Sequence, residues 1–542
     1  MSTYLLEIGT EELPAKFAVS IINQFKSIIE FEFKKNRISF DDIFCTTTPR
    51  RIVLKVSGLE DMGKDAKELR KGPKAEVAFI NNKPSNAAIG FAKSLNISTT
   101  DLKIRNTKKG EFVFGERIEK GKSSRYLISQ ILPKAIKSLQ GQRFMKWGKG
   151  NFKFSRPIRW VVSLYNNDLL NFSLENLDPE IVISKFSRGH RLVHNNIEIN
   201  NPEQYFQLLE ESNVIVNRDI RKSIINDLIK KVSDNLKLVP DLPGHLLEEI
   251  TDLVEIPTVI EGSFDSQYLS LPVEVLCTVM KSHQRYIPLF KSAGNFDKLE
   301  TNSESILSTN FLLISNGLKD SNNLIKMGNE KVIKARFADA KFFMENDKKI
   351  SCEERNHKIS SISYMKGLGN LLDKVKRMEF ISKEVFYELN DNSIELDQLL
   401  QASKYSKHDL CSEIVFEFPE LQGLMGGKYL NYEGFSKNVS LAVAEHYLPR
   451  FYRDDLPSSK YGAITSIADK LEMIVSIFVL GKRPTGSSDP YALRRNLNGI
   501  INILWSFDFN LRFDKLIKVT LIHWEESLTE INCDYKKVLL EL

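Results

Sequence analysis

The chain has 542 residues, 42% hydrophobic and 27% charged. At roughly 100–200 residues per domain this predicts three or four folded domains and excludes a disordered tail or a disulfide-stapled miniprotein. Its 76 basic and 70 acidic residues leave a net charge of +6, too near balance to identify a partner. Residues 101–160, however, hold 16 Lys and Arg against 4 Asp and Glu. A basic block in an otherwise mildly acidic chain points to a polyanion site. The five cysteines (Cys45, Cys277, Cys352, Cys411, Cys533) are odd in number and widely spaced. That spacing excludes a disulfide scaffold and a zinc ribbon and fits a reducing compartment. Glu7, Glu11 and Glu12 interrupt any apolar leader, and no apolar run reaches 18 residues. The expectation is a cytoplasmic protein with no signal peptide and no membrane partner.

In chain order, Tyr4–Gly9 reads as a strand and Lys16–Lys35 as an amphipathic helix entered through Thr10-Glu11-Glu12-Leu13-Pro14. Arg51–Val56, Glu111–Ile118 and Pro157–Tyr165 alternate with period two and predict strands. Lys71-Gly72-Pro73-Lys74 predicts a loop. Helical patterning runs from Pro202 to about Leu236, short strand-like runs return between Leu269 and Gly317, and amphipathic helices dominate after Gly328. The fold class expected is α+β multidomain, with a mixed body over residues 1–330 and an all-α region over 331–505. Residues 506–542 form a further helical stretch, whose last helix, ending Val538-Leu539-Leu540-Glu541-Leu542, shows no evident cap. It looks like a chain stopped within a domain.

No phosphate-binding glycine fingerprint, H-E-x-x-H pair or G-x-S-x-G elbow is present. Lys366-Gly367-Leu368-Gly369-Asn370 has the wrong spacing for a phosphate loop. The chain is therefore expected to hold no catalytic centre of its own. Within the basic block, Arg143, Lys146, Lys149, Lys153, Arg156 and Arg159 interleave with Phe144, Trp147, Phe152, Phe154 and Trp160. Cations neutralise phosphates and aromatic faces can stack on bases; alternation with core-facing aromatics would give the same pattern. Arg188-Gly189-His190-Arg191 could fork onto phosphate or form a solvated turn. Lys281-Ser282-His283-Gln284-Arg285-Tyr286 could read RNA edges or end a helix. His408-Asp409, with Asp469 downstream, suggests the ligands of an HD-type phosphohydrolase, whose metal-bound water is the nucleophile. His357, the upstream histidine within reach in sequence, carries nothing that marks it as a ligand, so the set is incomplete and these three are weak metal candidates.

Taken together, Leu5–Pro14, Thr48-Pro49-Arg50-Arg51, Lys71-Gly72-Pro73, Met145–Gly148, Phe154–Trp160, Arg188–Arg191, Gly328–Val332, Ala338–Phe343, Gln422–Gly426, Glu445–Arg450, Ala468-Asp469-Lys470 and Asp489–Arg495 resemble the beta subunit of the bacterial heterotetrameric glycyl-tRNA synthetase. The resemblance covers roughly residues 4–503. It implies an HD-like domain over 331–505, with His408 and Asp409 as relics of that fold. It implies a tRNA-binding subunit of a glycine–tRNA ligase, partnered in an α2β2 heterotetramer by an alpha subunit that carries catalysis and uses ATP and Mg. This chain itself is expected to bind tRNA(Gly) and no cofactor. Arg50, Arg51, Arg188, His190, Arg191, Arg494 and Arg495, in the matching motifs, join the basic-block residues as tRNA-binding candidates. The family continues beyond this length into a helical anticodon-binding domain, of which 506–542 would be the start. The rival expectations are a metal-dependent HD phosphohydrolase and a stand-alone RNA-binding protein.

Overall fold

A computed structural model describes residues 1–80, 83–193, 195–292, 299, 303–317, 323–486, 489–528, 531 and 533–542. The fold is mixed α/β with a helical C-terminal region, and from Leu324 onward the described elements are helices. The chain divides into two compact units: residues 1–232, 242–260 and 314–321 form the first, and 233–241, 261–313 and 322–542 the second.

The first unit is built on a six-stranded sheet whose antiparallel path runs Asp168–Leu169, Ile158–Tyr165, Ser2–Thr10, Arg51–Leu59, Asp42–Thr48, with Ile183–Ser184 paired parallel to Ile158–Tyr165. Ser2–Thr10 is central and buried on both faces. Tyr4, Leu6 and Ile8 point into one core with the helices Ala15–Lys35 and Ser124–Ser138. Leu5 points to the opposite core with Val53, Val162, Tyr205 and Leu209. Glu7 follows the alternation onto that second face, a carboxylate among apolar side chains. The helix Ala15–Lys35 buries Phe17, Ala18, Ile21, Phe25, Ile29 and Phe33, a stripe at three- and four-residue spacing, and ends with Lys34 and Lys35 against its dipole. Gly9 is needed for packing: a Cβ there would lie 1.9 Å from the Trp160 ring.

Lys71-Gly72-Pro73-Lys74 is a strand end, not a loop. It closes Ala66–Lys74, whose pairing with Gly110–Glu119 slips between Lys71 and Lys74. At such a bulge the missing proline N–H costs the ladder nothing. With Lys103–Thr107 these strands make a three-stranded sheet.

In the second unit, a four-stranded sheet lying largely within it orders Val239–Pro240, Ile287–Phe290, Leu307–Asn316 and Pro257–Ser263. Lys281–His283 lies in a π-turn, Val279–His283, closing the helix Val273–Thr278. Arg285 follows it with positive φ. The helical region packs around Lys460–Val479, which is buried on nearly every side. Such a helix must pair any charge it carries, and it carries Asp469, Lys470 and Glu472. Gly367 and Gly369 both have positive φ and shape a tight turn, after which Asn370 and Asp373 form a capping box on Leu371–Leu389. The glycines thus set up a helix start. The last helix, Tyr535–Glu541, does have a cap: the Asp534 side chain accepts from the Lys537 N–H.

Candidate functional site

The basic segment of the first unit separates into two kinds of cation. Arg143, Lys146, Lys149 and Lys153 are exposed. None of their four charged groups has a carboxylate partner among the described residues; Lys146 Nζ donates to Asn151 Oδ1 at 3.0 Å. Arg143 adopts positive φ, at +57°. The neighbouring cations are committed elsewhere. Arg159 Nε donates to Glu11 Oε1 at 2.6 Å, and Arg191 Nη1 donates to Glu12 Oε1 at 2.5 Å. Arg156 Nη1 donates to the Ser155 carbonyl at 2.8 Å.

The interleaved aromatics face inward. Phe152, Phe154 and Trp160 are buried and Phe144 packs against the same core as the first two. Trp147 is half-buried, edge-on to Phe152 at 6.1 Å between ring centroids. The segment therefore offers charge to a polyanion, while four of its five rings stabilise the fold.

Behind this surface lies a buried charged hub. Glu7 accepts from Trp160 Nε1, from Tyr205 OH and from Ser187 Oγ (2.7 Å to Oε1). Arg51 Nε stands 3.8 Å from Glu7, and the Arg51 guanidinium pairs with Glu255 and donates to the Arg188 carbonyl. Thr48 Oγ1 donates to Glu255 at 2.7 Å. Burial alone would raise the Glu255 carboxyl, but Arg51, Thr48 and Arg50 outweigh it and hold the group below its usual value. Arg51 and His190 are fully buried, and His190 Nε2 lies 3.1 Å from Asn316 Oδ1. Of the motif residues near this hub, these two hold the fold. Half-buried Arg50 and exposed Arg188 instead stack over Trp160, at 5.6 and 4.7 Å from the ring centroid.

In the second unit, the His408-Asp409 pair sits on a short 3₁₀ turn, His408–Cys411, rather than on a long helix. Both residues are fully buried. His408 Nδ1 accepts from Arg355 Nε at 3.3 Å and Nε2 faces the Gly426 carbonyl at 3.1 Å. Burial and the Arg355 charge push the imidazole down to about 3, so it is neutral. Asp409 Oδ2 accepts the backbone N–H groups of Gly423 (2.6 Å) and Gly426 (3.0 Å). Asp469 is ringed by ammonium groups: Lys374 Nζ at 2.9 Å and Lys407 Nζ at 3.1 Å. Among the described residues no group of three or more His, Cys, Asp and Glu is placed to hold a metal ion; Asp409 Oδ2 is taken by two backbone N–H groups and Asp469 by two ammonium groups, while Asp409 Oδ1 is left without a hydrogen-bond partner. Asp409→Ala is expected to destabilise the second unit by about 2–4 kcal/mol, since two buried N–H groups lose their acceptor. Asp409→Asn, which keeps an oxygen there, should cost well under half as much. Equal losses in urea melts of the two variants would count against a structural role for this side chain.

Sequence reasoning missed Lys374, Lys407 and Lys470, all about 95% or more buried around Asp469. Arg495, exposed, lines a cavity together with these three lysines and Asp469. Arg494 is turned to the Thr485 carbonyl, which its Nη2 meets at 2.7 Å.

No helix among the described residues is long and apolar enough to cross a membrane. The family model described as glycyl-tRNA synthetase beta subunit matches residues 4–539. A glycine–tRNA ligase beta subunit of Trichodesmium erythraeum is 40% identical over 533 residues, 98% of this chain and 73% of that protein. That of Acaryochloris marina is 38% identical over 99% of this chain and 74% of its own length. The protein of the same name from Clostridioides difficile is 39% identical across 100% of this chain and 76% of its own length. With a family match across almost every described element, and relatives aligned from end to end of the sequence, the chain belongs to the glycyl-tRNA synthetase beta subunit family, whose members are subunits of an aminoacyl-tRNA synthetase.

Proposed function

We propose that this chain is the tRNA-binding subunit of a cytoplasmic glycine–tRNA ligase, working with a separate catalytic alpha subunit in an α2β2 assembly. The complete enzyme would join glycine to the 3′ end of tRNA(Gly), consuming ATP and releasing AMP and pyrophosphate, with ATP and Mg held by the alpha subunit. The family and the relatives' names support the ligase role. The RNA-binding part rests on Arg143, Lys146, Lys149 and Lys153, four exposed cations on an 11-residue segment with no carboxylate partner among the described residues. In this reading residues 1–330 are the tRNA-binding body, 331–505 an HD-like domain and 506–542 the start of an anticodon-binding domain.

The test is co-expression with a candidate alpha subunit, co-purification, and aminoacylation of tRNA(Gly). The pure chain alone is expected to give only background glycine-dependent ATP–pyrophosphate exchange. Exchange matching that of the reconstituted complex would place catalysis on this chain and end the proposal.

A further inference from the structure

The cavity above Asp469 has the wrong charge for a cation and the right one for an anion. It measures about 450 Å3, within the range of small-ligand sites. Five cations line it, Lys374, Lys407, Lys470, Arg450 and Arg495, against one carboxylate, Asp469. Local pairing does not remove the excess. Asp469 is shared by Lys374 and Lys407, while Glu472, fully buried beneath, is shared by Lys374 (3.1 Å) and Arg377 (2.9 Å). Among the described residues, Lys470 Nζ meets only neutral acceptors, the carbonyls of Tyr447 (3.2 Å) and Leu448 (2.9 Å) and Ser466 Oγ (2.8 Å). Lys407 also contacts the neutral-side partner His446 Nε2, at 2.8 Å. Arg450 is satisfied by Asp454, but Arg495 on the rim has no ion-pair partner among the described residues.

Buried charge in a low-dielectric site is costly until neutralised, so a concentration of ammonium groups beyond the available carboxylates favours an incoming anion. Burial pushes Lys407 and Lys470 each down to about 8 in spite of the Asp469 carboxylate, whereas Asp469 and Glu472 hold Lys374 well above the usual lysine value. The rim adds neutral groups that can bond an ester or a sugar: Tyr491, Gln422 and Asn496.

We infer that this cavity is a binding site for a phosphate monoester dianion, held by the lysine-rich floor and the Arg495 guanidinium. The phosphate could be carried by a free nucleotide or by the 5′ end of an RNA. The inference stands apart from the tRNA reading, because the exposed segment of the first unit plays no part in it.

The test is isothermal titration of the full chain with inorganic phosphate, with AMP, and with a short RNA bearing either a 5′-phosphate or a 5′-hydroxyl. Arg495→Ala and Lys407→Met are compared with the unaltered chain. Saturable one-site binding of phosphate or AMP, weakened about tenfold or more in the variants, is the expected result and would identify a nucleotide phosphate. A preference for 5′-phosphorylated over 5′-hydroxyl RNA that disappears in Arg495→Ala supports the site equally and identifies an RNA end. The inference is overturned if no phosphate carrier binds saturably in the millimolar range, or if binding is unchanged by the substitutions. Should Lys407→Met fail to fold, Arg495→Ala, altered at an exposed position, decides alone. Loss of RNA binding through Arg143–Lys153 would leave the inorganic phosphate and AMP titrations untouched, so the two readings fail separately.

Discussion

Glu255→Ala is expected to lower the stability of the first unit by about 3–5 kcal/mol, the cost of leaving a buried guanidinium without its partner. Arg51 and Glu255 are both fully buried and paired. After the substitution Arg51 would retain the Arg188 carbonyl and the more distant Glu7 carboxylate, 3.8 Å from Nε. Neither replaces the lost bond, and Thr48 Oγ1 also loses its acceptor. Replacing the pair together, as Arg51→Met with Glu255→Leu, should cost much less than the sum of the single changes, because an ion pair exchanged for apolar volume is often close to neutral. The direction with pH follows from the same geometry. The Glu255 carboxyl is held below its usual value in the fold, so its contribution is fully present above the unfolded pKa, near 4.3 in peptides, and is lost as pH falls through the lower folded value. The unaltered chain should weaken on acidification more steeply than Glu255→Ala. Urea melts followed by tryptophan emission between neutral pH and about pH 3 test both statements. A single-variant cost below about 1 kcal/mol, typical of an exposed pair, would mean the hub does not hold the sheet.

Much of the first unit was legible because its signals are local. Period-two alternation located Arg51–Leu59 and Ile158–Tyr165, and the apolar stripe located Ala15–Lys35. Alternation could not say which face was solvent, because the central strand Ser2–Thr10 is covered on both. For that reason Phe152, Phe154 and Trp160 could be read from sequence as base-stacking rings when they are core. Arg51 and His190 stand among the RNA-contact candidates for a related reason: their partners, Glu255 and Asn316, lie 204 and 126 residues away. No spacing rule reaches that far. In the second unit, His408, Asp409 and Asp469 stand out in the sequence as acids and an imidazole, while nothing there marks the neighbouring Lys407 and Lys470. They are buried, and with Lys374 from another helix they turn a candidate cation site into an anion-attracting one. Only the fold brings Lys374 there.

Changing Arg143, Lys146, Lys149 and Lys153 together to Gln is expected to cost up to about a thousandfold in tRNA affinity near physiological salt. Each phosphate contact contributes about 0.9 to the slope of log affinity against log salt, so four contacts remove up to about 3.6 from that slope. Extrapolated from about 0.15 M to 1 M salt, where the electrostatic part vanishes, that slope amounts to about three decades. The substitutions should not unfold the chain, since all four side chains are exposed and none has a carboxylate partner among the described residues. Arg159→Gln with Arg191→Gln supplies the control. Both of these cations are exposed, but each already faces a carboxylate, Glu11 and Glu12, so removing them also frees a negative charge and releases fewer counterions on binding per residue changed. If the control variant loses as much slope per residue as the quadruple variant, then ion pairing on the surface does not select which cations meet the RNA. If the quadruple variant binds tRNA(Gly) with an unchanged slope, the segment only solvates one edge of the sheet, and the RNA-binding reading loses the observation that carries it. Filter binding at four or five salt concentrations, with a circular-dichroism check that the variants are folded, distinguishes these results.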